Sequence, residues 1–139
     1  TWLVAVGGGG LIGGICAWAM GSPRVVAVET AGCATLERAL AAGKPVDVPV
    51  SGIAADALGA RRIGSIAFPI VQRHLARACL VDDSAVLDTR RFAWETMRIL
   101  LEPGGATALA ALLSGAYRPE PDERVGVLLC GANTAVSPP

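Results

Sequence analysis

Four consecutive glycines, Gly7 to Gly10, separate a β-branched run, Val4-Ala5-Val6, from an apolar stretch that opens Leu11-Ile12-Gly13-Gly14. Glycine enters φ > 0 conformations at little cost, so such a loop can curl and aim several N–H groups at one point. A helix starting at Leu11 adds unpaired N–H groups and a positive dipole end. The sum is a cradle for an anion such as phosphate. A plain strand-to-helix turn would need only one or two glycines. The segment Gly8-Gly9-Gly10-Leu11-Ile12-Gly13 also satisfies G-x-G-x-x-G, and Glu29 ends the next β-branched run, where a dinucleotide fold places its ribose-binding acid. These residues alone therefore leave open a small phosphorylated ligand, a Rossmann-type NAD-binding domain, and a purely structural turn.

Other reactive side chains are sparse. Cys16, Cys33, Cys79 and Cys130 are far apart and lack metal-ligand spacing. Reduced thiols without disulfides, in a cytoplasmic protein, are the reading. His74, the single histidine, lies at a helix end and reads as a surface residue rather than a base. The single lysine, Lys44, follows a helix-stopping Gly43 and reads as solvated.

Strand and helix patterns alternate along the chain. Trp2 to Val6 and Arg24 to Glu29 read as strands, with a helix from Leu11 to Met20 between them. A helix from Thr35 to Ala42 follows. Val46 to Ser51, interrupted by Pro49, suits an edge or loop. Ala54 to Gly59 reads as a short helix, Phe68 to Ala76 as a helix with Pro69 in its first turn, and Cys79 to Val81 as a strand. Asp82-Asp83-Ser84 offers an N-cap for a helix from Ala85 to Leu100, whose apolar face would carry Val86, Ala93, Met97 and Leu100. Glu102-Pro103-Gly104-Gly105 reads as a break, Ala106 to Leu113 as a helix, Val125 to Leu129 as a last strand, and Val136 to Pro139 as a tail. The expected fold class is α/β: three layers, a mostly parallel sheet with helices on both faces. Ligands of such sheets lie beyond the carboxyl ends of strands, where the glycine loop, Glu29 and Cys130 to Asn133 all fall.

Composition agrees with one domain over residues 1–139. The hydrophobic fraction of 53% and mean hydropathy of +0.51 are ample for a core. Twelve basic residues balance twelve acidic ones, which argues against nucleic acid or an anionic membrane surface as partner. No apolar run reaches the roughly 18 residues of a membrane span. Thr1 is not a methionine and the chain opens directly in a strand, so a piece of a longer chain is expected, with the missing part on the N-terminal side.

Four segments occur in order: Val4 to Gly14, Val25 to Glu29, Leu101-Glu102-Pro103-Gly104-Gly105-Ala106, and Leu129-Cys130-Gly131-Ala132-Asn133. As a set they resemble the C-terminal part of the large domain of serine/threonine dehydratases, the tryptophan-synthase-β-like pyridoxal-phosphate enzymes of fold type II. Ile53 to Gly59 is similar to that family's "IADG" segment, with Ala57 in place of the glycine. The resemblance covers nearly the whole chain.

It implies a site. Gly7, Gly8, Gly9, Gly10 and Leu11 would hold the 5′-phosphate of pyridoxal phosphate. Cys130 would face the pyridine nitrogen as a neutral partner. Asn133 would orient the loop around the ring, and Glu102 would point into the site. The Schiff-base lysine and the loop for the substrate carboxylate would lie upstream of the glycine loop, outside this chain, so the chain by itself is expected to be inactive. Some relatives bind a divalent cation just after the second strand. Here Glu29 and Cys33 are the candidates, with Thr35 where a second carboxylate would be wanted. The implied activity is α,β-elimination from L-threonine or L-serine, a small amino-acid substrate, giving a 2-oxo acid and ammonia, in a full-length protein expected to be a homo-oligomer. The alternatives carried forward are the NAD-binding domain and a non-catalytic structural or assembly fragment.

Overall fold

Buried β-branched residues build the sheet. The computed structural model describes residues 1–134. Strand β1 (Trp2–Ala5) leads through the glycine loop into helix α1 (Gly10–Ala19) and then strand β2 (Val25–Thr30), all six residues of which are buried. A short 3-10 turn (Ala31–Cys33) precedes α2 (Thr35–Ala42), α3 (Ala55–Leu58) and α4 (Ala67–His74), and strand β3 (Arg77–Val81) follows. Helix α5 (Asp83–Phe92), a π turn (Ala93–Met97), α6 (Pro103–Leu113) and strand β4 (Gly126–Val127) complete the fold.

All strand pairs are parallel, in the order β3-β2-β1-β4. The chain moves outward from β1 to β2 and β3, then returns to the opposite side of β1 as β4. The crossovers therefore diverge beside β1, and a crevice opens beyond the carboxyl ends of β1 and β4. Alternating side chains face two cores. Val4, Val6, Val25 and Ala27 pack with Ile12 and Cys16 of α1, Leu36 and Ala39 of α2, and Phe68 and Val71 of α4. On the other face Leu3, Ala5, Val26 and Val28 pack with Val86 of α5 and the alanines of α6. Three layers result, the α/β architecture expected.

Some boundaries differ from expectation. Glu102 to Gly105 is not a break: Pro103 opens α6 at its first position, where a missing N–H costs nothing. Ala106 N–H donates to Glu102 O at 3.1 Å, and Thr107 Oγ1 donates to Pro103 O at 2.9 Å. The long helix expected to Leu100 starts earlier, at Asp83, relaxes into the π turn after Phe92, and stops at Arg98 in a left-handed conformation. Met97 is consequently exposed rather than in the core. Strand β4 is shorter than expected, although Leu128 N–H continues the ladder to Leu3 O at 3.1 Å. Val46 to Ser51 is irregular, held by single bonds such as Val48 N–H to Arg61 O at 2.9 Å. The expected tail from Val136 lies outside the described residues. Among the described residues no helix is long and apolar enough to cross a membrane.

Candidate functional site

The glycine loop leaves the carboxyl end of β1 and enters α1 at Gly10. Gly9 caps that helix at φ +89°, and a β-carbon there would overlap the Ile63 side chain. Both the backbone angle and the space demand glycine. Gly64 N–H donates to Gly8 O at 3.0 Å and pins the loop from outside. Among the described residues, none of the N–H groups from Gly7 to Leu11 donates to a protein acceptor. These free donors and the positive end of α1 line a cleft of about 240 Å³.

Glu102, Gly104 and Cys130 share the same cleft, with Ala57 and Leu58 of α3. Helix α6 thus presents its N-terminal turn to the same space as α1. Glu102 precedes that turn in extended conformation, and its N–H donates to Gly131 O at 3.2 Å. A β-carbon on Gly105 would lie 2.9 Å from Gly131 N, and one on Gly131 would lie 2.9 Å from Glu102 Cδ. The Glu-Pro-Gly-Gly and Cys-Gly-Ala-Asn segments are therefore the two sides of one close backbone contact.

Cys130 lies three residues beyond β4, and β4 pairs with the strand that feeds the glycine loop. The thiol is a free one, open to the cleft. The protein packed around it raises its pKa above the ordinary value, and the charge of Glu102 adds to the effect. It is therefore a neutral group at neutral pH.

The structure brings Gly7, Gly8, Gly9, Gly10, Leu11, Glu102 and Cys130 together around one cleft. Asn133 is exposed beyond Gly131 and does not line it. Ala57, Leu58 and Gly104 line the cleft without having been singled out as site residues. The one available signal was Ala57 standing where the resembling pattern has glycine.

The candidates for a cation are spent elsewhere. Glu29 is 1% exposed, and its two oxygens accept from Leu36 N–H at 2.7 Å and Glu37 N–H at 2.8 Å, at the N-terminus of α2. Burial pushes its carboxyl up to about 7; the two N–H bonds pull in the opposite direction, and the charge of Glu37 raises it further. Cys33 Sγ donates to Ser51 O at 3.4 Å, and Thr35 Oγ1 to Ala60 O at 2.5 Å. Among the described residues no group of three His, Cys, Asp or Glu side chains assembles that could hold a metal ion. The expectation of a cation on Glu29 and Cys33 finds no support in this arrangement. The same burial removes the ribose-binding role for Glu29, because its oxygens face α2 and not the cleft. Lys44 is exposed after α2, and no lysine lines the cleft.

Comparison with known proteins agrees with this geometry. The family described as "Pyridoxal-phosphate dependent enzyme" matches residues 1–131. The chain is similar to serine racemase of Oryza sativa subsp. indica, 31% identical over 140 residues, which span 96% of this chain and 41% of that protein. It is similar to the biosynthetic L-threonine dehydratase of Escherichia coli (strain K12), 37% identical over 134 residues, 94% of this chain and 26% of that one. Among solved structures, a threonine deaminase from T.th. superposes with a TM-score of 0.87 at 31% identity, over 99% of this chain and 50% of that chain. Serine racemase from Dictyostelium discoideum superposes with a TM-score of 0.85 at 32% identity, over 97% and 44%. The chain thus spans half or less of the length of these relatives.

Proposed function

The chain belongs to the pyridoxal-phosphate-dependent enzyme family, and from that premise we propose that it holds the cofactor of an enzyme that converts L-threonine or L-serine to a 2-oxo acid and ammonia by α,β-elimination. The observation that carries this reading is the row of free N–H groups from Gly7 to Leu11, sharing one cleft with Glu102 and Cys130.

The residues present fit the cofactor. Backbone donors at the start of α1 match a phosphate dianion and require no lysine at that spot. The cleft continues from them to Cys130, whose neutral thiol is a weak partner for a ring nitrogen. Pyridoxal phosphate, when bound, supplies an electron sink for charge developing on the substrate's α-carbon. A thiol leaves the ring nitrogen uncharged, where a carboxylate would hold a proton on it, and so moderates that sink. Glu102, fixed through Gly131, places a carboxylate on the same wall, where it would face a bound cofactor or substrate. Ala57 and Leu58 form the α3 side of the cleft. The α-proton would be taken by a lysine, and the resemblance places that lysine outside this chain.

A second reading, racemisation of serine, is favoured by the similarity to serine racemases. One assay separates the two. The enzyme containing this chain is supplied with L-threonine and with L-serine, and 2-oxo acid, ammonia and the D-enantiomer are all quantified. Release of 2-oxobutyrate and ammonia from L-threonine as the dominant flux is expected. Dominant formation of D-serine, with little 2-oxo acid, would replace the dehydratase reading by the racemase one. The isolated chain should be stabilised by pyridoxal phosphate, by linkage, without turning substrate over. No rise in its Tm at saturating cofactor would argue against the cradle itself.

A further inference from the structure

Glu29 is among the largest fully buried side chains of the molecule, and it lies one residue before the end of β2. A carboxylate is rarely so enclosed without dedicated partners. Here the partners are the Leu36 and Glu37 N–H groups. They belong to the first turn of α2, where no intrahelical acceptor exists. The residue before that helix, Ala34, has no capping side chain. Glu29 supplies the missing cap from a different element, its carboxyl oxygens accepting the two N–H bonds.

Two neighbouring side chains are committed in the same way, while the buried Thr30 Oγ1 and Glu37 Oε2 have no hydrogen-bond partner among the described residues. Thr35 Oγ1 donates to Ala60 O, and Cys33 Sγ donates to Ser51 O. Ala60 in turn adjoins the glycine loop: a β-carbon on Gly8 would lie 3.5 Å from Ala60 Cβ. Gly64, four residues on, donates to Gly8 O. A continuous set of contacts thus runs from Glu29 through α2 and the 60–64 segment to the phosphate cradle.

We infer that Glu29 is an internal cap for α2, standing where the resemblance implies a divalent cation in some relatives, and that the fold behind the cradle is set without such a cation. A hard cation needs several oxygen ligands. At this turn the carboxylate is turned onto amide donors, and the position wanted for a second carboxylate is a threonine bound to a carbonyl. The donors that hold the Glu29 oxygens are part of the chain itself.

Amide hydrogen exchange of the full chain in EDTA reads this directly. The Leu36 and Glu37 amides, unprotected in an ordinary first helical turn, should be protected by at least about tenfold relative to such amides. Glu29→Ala should release these two while leaving the β1 and β2 amides protected. Free exchange in EDTA that becomes slow on adding Mg²⁺, Ca²⁺ or Mn²⁺ would overturn the inference. So would protection that survives Glu29→Ala. A second measurement needs no variant. The wild-type Tm should shift by less than about 1 °C between EDTA and millimolar divalent cation, where saturating a specific site would raise it by several degrees. A saturable rise in Tm, matched by one Mn²⁺ bound per chain in electron paramagnetic resonance, would overturn the inference even if Glu29→Ala fails to fold.

Discussion

The Glu102 carboxyl group closes over the α-carbon of Gly131, so that a β-carbon there would lie 2.9 Å from Glu102 Cδ and 3.2 Å from Cγ. The same two residues are joined by the bond from Glu102 N–H to Gly131 O. One glycine thus fixes both the backbone and the side chain of the carboxylate on the cleft wall. Gly131→Ala should displace that carboxylate and cost on the order of 2 kcal/mol, as overpacking does. Glu102→Ala in the same chain should recover much of the loss. A double-mutant cycle by chemical denaturation checks this, and additive effects would mean that the contact is relieved without moving Glu102.

Gly9 and Gly10 should separate folding from binding. Gly9→Ala meets both a left-handed backbone and the Ile63 side chain, so it should lower the Tm of the free protein. A methyl at Gly10 meets nothing within 4 Å, and α1 begins there. Gly10→Ala should therefore leave the free protein's Tm nearly unchanged while weakening phosphate or pyridoxal phosphate binding by about tenfold, about 1.4 kcal/mol. Titration of both ligands by calorimetry tests it. Undiminished affinity in Gly10→Ala would move the phosphate away from the loop.

Cys130 offers a test of charge. In the enzyme containing this chain, Cys130→Ser should keep substantial activity, since a hydroxyl is equally neutral. Cys130→Asp should cut activity sharply, because a carboxylate would hold a proton on the ring nitrogen and change which carbanion is favoured. Steady-state kinetics of the two variants suffice. Equal activities would make Cys130 a thiol beyond a strand end with no part in cofactor tuning.

Glu29 should leave a mark on the pH dependence of stability. Its carboxyl lies at about 7 in the folded protein, raised by burial above the 4.5 of an unperturbed glutamate. The folded state therefore binds the proton more tightly than the unfolded one. Its contribution is full below about pH 4.5 and is lost as pH rises through about 7. Glu29→Gln cannot titrate, so the stability advantage of wild type over this variant should shrink across that window. Denaturant unfolding at several pH values measures the difference. An advantage that grows with pH would place the folded carboxyl below its ordinary range.

Much of this protein could be read from local pattern. Four glycines between a β-branched strand and an apolar helix specify a loop of free N–H groups, because glycine's backbone freedom is a property of the residue itself. Alternating strand and helix signals specify parallel α/β layers, because short crossovers are right-handed and neighbouring strands pair. The end of α2 at Ala42 follows from Gly43 and Pro45 in the same way. What the pattern could not supply is which distant segments meet. Glu29 stands near a strand end in a dinucleotide-like position, yet its carboxylate turns into the core and caps α2, a choice made by the packing of that helix on β2. Glu102 to Gly105 carries every mark of a break, yet tertiary burial of α6 draws Pro103 into its first turn. Cys130 joins the glycine loop only because the chain returns across β1 to lay β4 on its free side. Strand order depends on long-range burial of two sheet faces, and no window of sequence contains it.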